Sequence, residues 1–171
     1  MSSLPSKNKD IEFTSKYIGV ENGKNFISLS RFVNNKVGKN ETNMILQMDI
    51  EGYEYEVLSQ ETEEFFSRFD IIIMEFHQTQ NIFLNESLKM LNANFNKIFK
   101  NFSVCHIHPH NGLGIKKIND IKIPRGLEIT FAQKNFIQGL ESDKILIPHP
   151  LDVRTIKDKK DMILPDIFWK K

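Results

Sequence analysis

The stretch that decides the fold is Met44-Ile45-Leu46-Gln47-Met48-Asp49-Ile50-Glu51-Gly52-Tyr53-Glu54-Tyr55-Glu56-Val57-Leu58. An apolar run stops abruptly at Asp49. Glu51 and Gly52 follow, and then Tyr53, Val57 and Leu58 recur at helical spacing. Apolar residues ended by an acid and a glycine, and then an amphipathic helix, predict a buried strand entering a strand-to-helix turn. Open parallel sheets bind ligands in the crevice at the carboxyl ends of their strands. Asp49 and Glu51 are therefore expected at the rim of a site. The competing reading is that both acids only cap the next helix and complement its dipole.

Downstream, Glu54 to Phe69 carries Val57, Leu58, Phe65, Phe66 and Phe69 among many glutamates, which fits one bent helix or two short ones. Asp70 to Phe76 is continuously apolar, like a strand covered on both faces. The connection is long enough for the helical crossover that parallel pairing requires, so a right-handed βαβ unit is expected. Leu84, Leu88, Leu91 and Phe95 predict a helix over about Phe83 to Asn94. Ile98 to His108 reads as a strand with Phe102, Val104, His106 and His108 on one face and Ser103, Cys105 and Ile107 on the other. His110-Asn111-Gly112 turns the chain. In the last strand, Leu127 to Lys134, Leu127, Ile129 and Phe131 face away from Glu128 and Thr130. No helical pattern separates these last two strands, so they are expected to pair antiparallel.

Upstream of the central stretch, Asn34 to Asn43 is a polar loop. Before it, Phe26 to Leu29 suits a short strand, and Ser30 suits the cap of one helical turn through Val33. Three segments result: a poorly patterned residues 1–26, a folded 27–147, and a tail over 148–171. The tail carries Pro148, Pro150, Pro165 and the basic run Lys157 to Lys160. It is expected to wrap the surface with Ile167, Phe168 and Trp169 docked, the lysines being a solvated charge run.

The 171 residues amount to one domain with room for a core. A hydrophobic share of 40% and a charged share of 26% are ordinary for a soluble globular protein. The net charge of +1 provides no global field to recruit nucleic acid or an anionic membrane. Cys105 is the only cysteine, which excludes an internal disulfide and a cysteine metal cluster. No apolar run has the length of a membrane helix, and the first residues lack the apolar core of a signal peptide. A reduced, cytoplasmic protein is the expectation. GxSxG, GK[ST] and HExxH motifs are all missing.

Polar groups collect at the predicted strand ends: Asp49 and Glu51, then Glu75 and His77, then His106, His108 and Asn111. Parallel neighbours end together, so the first two pairs come to one edge. Asp49, Glu75 and His77 are there suited to bind a divalent cation, or to hold a hydroxyl and take its proton. His106 and His108, two apart on a strand, face the same way, which suits ligation. The plainer alternatives are a Glu75 hydrogen-bonded to a neighbouring turn and surface histidines that ligate nothing. Cys105, in an apolar strand, is expected to be a buried and inert thiol.

At these residues the chain resembles the FkbM-type S-adenosylmethionine-dependent methyltransferases. The matching pieces are ISLSRFV (Ile27 to Val33), LQMDIEGYEYEVL (Leu46 to Leu58), IIIMEFH (Ile71 to His77), HIHPHN (His106 to Asn111) and LEITF (Leu127 to Phe131), with PLD and PDI in the tail. The acid-x-acid-Gly-x-Glu core is the most specific of them, and the pieces come in the family's order. The resemblance implies an α/β fold, a Rossmann-like class I methyltransferase sheet, mostly parallel with a C-terminal antiparallel hairpin. In it the Asp49 strand is the fourth, the Glu75 strand the fifth, the His106 and His108 strand the sixth and the Glu128 strand the seventh.

The family's activity is O-methylation of hydroxyls on saccharides and secondary metabolites. The implied catalytic residues are Asp49, Glu75, His77 and His106, with Asp49, Glu51 and Gly52 at the cofactor, and His108, Asn111 and Glu128 near the substrate. A divalent metal on Asp49, Glu75 and His77 is the further cofactor expectation. Family members begin with a strand, a glycine-rich turn and a second strand whose acid holds the ribose. Met1 to Phe26 does not supply these parts, since Gly19 and Gly23 do not follow an apolar strand. The chain thus looks truncated at the N-terminus, like the C-terminal part of such an enzyme, with an exposed hydrophobic edge on the Asp49 strand. Its partners are then an acceptor molecule and either a complementing N-terminal fragment or a second copy. The alternatives are a non-enzymatic remnant or interaction module that uses the sheet edge, and a metal-dependent hydrolase using Asp49, Glu75, His77 and His106.

Overall fold

The computed structural model describes residues 11–139 and 147–165. In chain order its elements are β1 (Tyr17–Ile18), β2 (Phe26–Ile27), α1 (Leu29–Val37), β3 (Met44–Met48), α2 (Glu54–Gln60), α3 (Glu63–Phe66) and β4 (Phe69–His77). A 3₁₀ turn (Thr79–Phe83), α4 (Asn85–Phe99), β5 (Phe102–Pro109), β6 (Ile115–Ile118), β7 (Ile121–Pro124) and β8 (Gly126–Gln133) follow. The expected docking of Ile167, Phe168 and Trp169 lies outside the described residues.

The main sheet has four strands in the order β3-β4-β8-β5. β3 and β4 pair parallel, with Met48 opposite Met74, so Asp49 and Glu75 come next at the carboxyl ends of adjacent strands. α2 and α3 form the crossover, and the two-helix alternative is the one adopted: Glu61 is extended between them, and Thr62 caps α3 by accepting from the Phe65 N–H. β8 runs antiparallel to both β4 and β5. The antiparallel pairing of the last two long strands is as expected. β8 inserts between β4 and β5, so in the main sheet β3, β4 and β5 run one way and β8 the other. By strand direction the sheet is mostly parallel as expected, although its paired neighbours are one parallel and two antiparallel.

One sheet face carries the core. Leu46, Met48, Ile72, Met74, Phe76, Leu127, Ile129 and Phe131 share a buried cluster with Leu29, Val57, Leu58, Phe65, Phe66 and Ile98 from the helices. The fully buried Phe131 ring stands 6.0 Å from Phe95 and 6.4 Å from Phe76, within the range of favourable aromatic pairing. On the opposite face, cross-strand register puts Glu75, Glu128 and His108 in one row and Ile73, Thr130 and His106 in the next. Ile45, on the outer edge strand, is 65% exposed.

Several local expectations are corrected. A β-bulge between Val104 and His106 makes Val104 pair with Phe131 while His106 pairs with Thr130. The inserted residue turns the strand over, so the histidines do not share the face of Phe102 and Val104. Cys105 sits at this bulge and is exposed rather than buried. Partial desolvation still pushes its thiol above the usual range, which keeps it protonated and unreactive.

α1 runs two turns rather than one. Ser30 lies inside it, its N–H donating to the Glu61 carboxylate at 2.8 Å. α4 extends to Phe99, so β5 begins later than expected, and its buried residues are Asn94 and Ile98 while Leu84 and Leu88 are exposed. The hairpin of β6 and β7, which closes around Asn119-Asp120 with Asn119 in the left-handed region, is not anticipated by the sequence reading.

Residues 147–165 lie against β5 and the loop after it. Asp152 Oδ1 is 2.8 Å from His106 Nε2, and Asn111 donates to the carbonyls of Ile156 and Lys159 while accepting from the Ile156 N–H. Met162 and Leu164 are buried, whereas Lys157 to Lys160 are exposed.

Candidate active site at the carboxyl rim of the parallel pair

Past Met48 the chain makes a tight turn in which Glu51 and Gly52 both have positive φ, at 58° and 108°, and Tyr53 N–H reaches back to the Ile50 carbonyl. Glycine meets the second requirement without cost. A side chain there would also press on the Gln78 amide, 3.3 Å from the position of a Cβ. Gln78, directly after His77, is left-handed as well (φ 54°). Non-glycine residues held in this region cost energy and cluster at functional sites, and here they lie on the two loops that flank His77.

Glu54, in the first turn of α2, is the hub. Its side chain is fully buried, and Oε1 accepts from the N–H groups of Ile50 (3.2 Å) and Gly52 (3.0 Å). The same oxygen lies 3.1 Å from His77 Nδ1. Because Oε1 is already an acceptor, the imidazole nitrogen facing it is the donor. The Tyr55 hydroxyl donates to the His77 carbonyl at 2.9 Å, so α2 holds both the ring and the backbone of this histidine. Burial, with the carboxylates of Glu54 and Glu56, pushes the Tyr55 hydroxyl above its usual range, and it stays a donor at any physiological pH.

His77 Nε2 faces outward onto three carboxylates: Glu51 Oε2 at 3.5 Å, Glu75 Oε1 at 3.7 Å and Asp49 Oδ1 at 3.9 Å. One ligand atom each from Asp49, Glu75 and His77 falls within 4.8 Å of the others. The side chains of Asp49 and Glu51 are open to solvent, 51% and 84% exposed. Among the described residues no lysine or arginine lies at ion-pair distance from any of them. Partial burial pushes the Glu75 carboxyl above its usual range. The Asp49 carboxylate raises it further, His110 and His77 act in the opposite direction, and Glu128 adds a smaller rise. His110 Nε2 is 3.9 Å from Glu75 Oε1.

The helix-capping alternative for Asp49 and Glu51 does not describe this turn. The residue at the N-terminus of α2 is Tyr53, with no side-chain cap, and Glu54 takes the loop amides instead.

The structure therefore brings together Asp49, Glu51, Gly52, Glu75 and His77. It does not bring His106 to them: that residue is on β5, two strands from β4, roughly 10 Å away at ordinary strand spacing, and it pairs with Asp152. His108 faces Asp161 at 3.9 Å, and Asn111 spends its amide on the tail. Glu128 stands opposite Glu75 on β8 and is exposed. Glu54, Tyr55 and His110 are the residues that sequence reasoning missed. Glu54 does carry a signal, as the last member of the acid-x-acid-Gly-x-Glu core, but a glutamate in a first helical turn reads equally well as a solvated dipole partner.

Behind the turn, Gly52, Tyr55, Gln78, Thr79, Met90 and Leu91 line a pocket of about 130 Å³. That is well below the roughly 300 Å³ at which ligand pockets begin, so this pocket is too small for a nucleoside.

A family model described as the methyltransferase FkbM domain matches residues 4–103. The match contains Asp49, Glu51, Gly52, Glu54, Glu75 and His77 and ends within β5, before His106. Comparison with curated proteins and with solved structures yields no match.

Proposed function

The chain belongs to the FkbM methyltransferase family, and from that premise we propose that it serves S-adenosylmethionine-dependent O-methylation of a hydroxyl on a saccharide or secondary metabolite, in the cytoplasm. The observation that carries the reading is the rim itself: Asp49 and Glu75 on adjacent parallel strands, with the buried His77 between them. S-adenosylmethionine supplies an electrophilic methyl group on a sulfonium and also carries an ammonium. Asp49 and Glu51, solvent-open and without a cationic side chain at ion-pair distance among the described residues, fit that cationic end. Gly52 lets the backbone approach closely. The nucleoside end calls for a parallel strand on the far side of β3. Among the described residues β3 has a partner on one side only, so its open edge is where a further segment or a second chain would complete the site.

The chain's own contribution to the reaction is then positioning and proton removal. Glu54 and Tyr55 lock His77. Glu75, its carboxyl raised, accepts the proton of the acceptor hydroxyl while the oxygen is aligned for in-line displacement. A general base of this kind contributes typically 10²–10⁴-fold.

The test is titration calorimetry of the chain with S-adenosylmethionine, alone and mixed with a segment that supplies upstream parallel strands. Methyl transfer to a saccharide panel is followed in parallel. Binding that weakens at least tenfold in Asp49→Asn, and transfer that falls at least a hundredfold in Glu75→Gln, are expected. Absence of binding in both formats would overturn the assignment. It would favour a second reading, in which the open β3 edge with its exposed Ile45 docks a partner without catalysis.

A further inference from the structure

We infer that Asp49, Glu75 and His77 form a binding site for one divalent cation of Mn²⁺ type, with Glu54 as the outer carboxylate that orients the histidine. His77 is 8% exposed, and its Nε2 makes no hydrogen bond among the described residues. With Nδ1–H committed to Glu54, Nε2 presents a lone pair to three carboxylate oxygens. A lone pair facing anions is repulsive unless a proton, a bridging water or a metal cation sits among them.

Distance tells against the proton. A proton on Nε2 would draw an oxygen to about 2.7–2.9 Å, the length of charge-assisted hydrogen bonds. The observed separations are 3.5, 3.7 and 3.9 Å. Ligands bound at about 2.1 Å to a six- or four-coordinate metal stand roughly 3.0–3.4 Å apart, so this rim, whose three ligand atoms lie within 4.8 Å of one another, reaches a coordination polyhedron by rotation of the solvent-open Asp49 side chain. The outer sphere matches too, because a ligating histidine almost always donates its other N–H to a carboxylate or carbonyl, as His77 does to Glu54. Two carboxylates and one imidazole suit Mn²⁺ better than the all-oxygen preference of Mg²⁺ or the thiolate and imidazole preference of softer metals. Water and an acceptor hydroxyl have room to complete the shell, since Asp49 and Glu51 open to solvent.

The site does not depend on methyl transfer, and its test reads the metal directly. The full chain, stripped with a chelator, is titrated with MnCl₂ while free Mn²⁺ is followed by electron paramagnetic resonance. Thermal melts run with and without the ion. Saturation at one Mn²⁺ per chain is expected, with a rise in melting temperature. Asp49→Asn, at a solvent-open position that should not disturb folding, is expected to weaken binding at least tenfold and to cancel the thermal shift. Glu54→Gln is expected to weaken it 10- to 100-fold with all three ligands still in place. No saturable binding, or binding that Asp49→Asn leaves unchanged, overturns the site and leaves the proposed methyl transfer standing.

Discussion

Glu75 is the residue whose environment says most about its task. It lies two residues before the end of β4, beside Asp49 at the end of β3 on one side and opposite Glu128 of β8 on the other, and has its carboxyl raised above the ordinary 4.5. A raised folded-state value gives stability that is fully present below the ordinary one and is lost as pH rises through the raised one. Stability of the wild type therefore falls on going from about pH 4 toward neutrality, in so far as Glu75 controls it. Glu75→Gln removes that slope and the repulsion with Asp49. Urea titrations at a series of pH values should show the variant equal to wild type near pH 4 and more stable at pH 7.5, by a few tenths to about 1 kcal/mol, as befits partly exposed charges. The juxtaposition of Asp49 and Glu75 was legible in the sequence, because two apolar runs that each end in an acid, joined by a helical crossover, must end together. The role of Glu54 was not, because nothing local distinguishes a buried carboxylate from a solvated one in a first helical turn.

At the scale of elements, α2 and α4 meet through polar atoms as much as through apolar ones. Asn94, buried on α4, accepts from the Ser59 hydroxyl at 3.0 Å and donates to the Tyr55 carbonyl at 2.8 Å. Lys97, one turn on, donates to the carbonyls of Leu58, Ser59 and Glu61 at the end of α2. Since α2 carries Glu54 and Tyr55, this seam holds the elements that hold His77. Asn94→Ala removes both hydrogen bonds from a buried position on α4, at a cost of about 1–3 kcal/mol, seen as a lower urea midpoint with unchanged m-value. The stripe of Leu84, Leu88, Leu91 and Phe95 predicted a helix correctly, and Leu91 and Phe95 lie on the face that carries the buried Asn94 and Ile98, whereas Leu84 and Leu88 at its start are exposed. Burial there follows the docking of α4 on α2 and β8, which no periodicity within α4 contains.

At the scale of the molecule, residues 147–165 form a strap tied onto β5 and the loop after it, and Leu164 joins the core cluster. The tie is concentrated at His106–Asp152 and at the three Asn111 hydrogen bonds. Asp152 also accepts from the His149 N–H at 2.6 Å, so its carboxylate both shapes the turn and anchors it. Asp152→Ala should release the strap locally, costing about 1–3 kcal/mol of protection there. Hydrogen exchange of residues 149–159 is expected to quicken, with β4 and β8 unchanged. Equal acceleration throughout the sheet would mean that the strap belongs to the cooperative core. No helix among the described residues is long and apolar enough to cross a membrane.

By itself the sequence determined the class of the protein, the two parallel strands and the acids at their ends. These depend on short-range facts: apolar runs, where they stop, and the length of chain between them. It also carried the family, through a motif whose order and spacing are local. Only the tertiary structure decided that β8 runs between β4 and β5, that a bulge turns His106 away from the face of Val104, and that Glu54 is buried against His77. Each of these is settled by which surfaces meet across long stretches of chain, and a carboxylate or an imidazole takes its chemical character from that meeting.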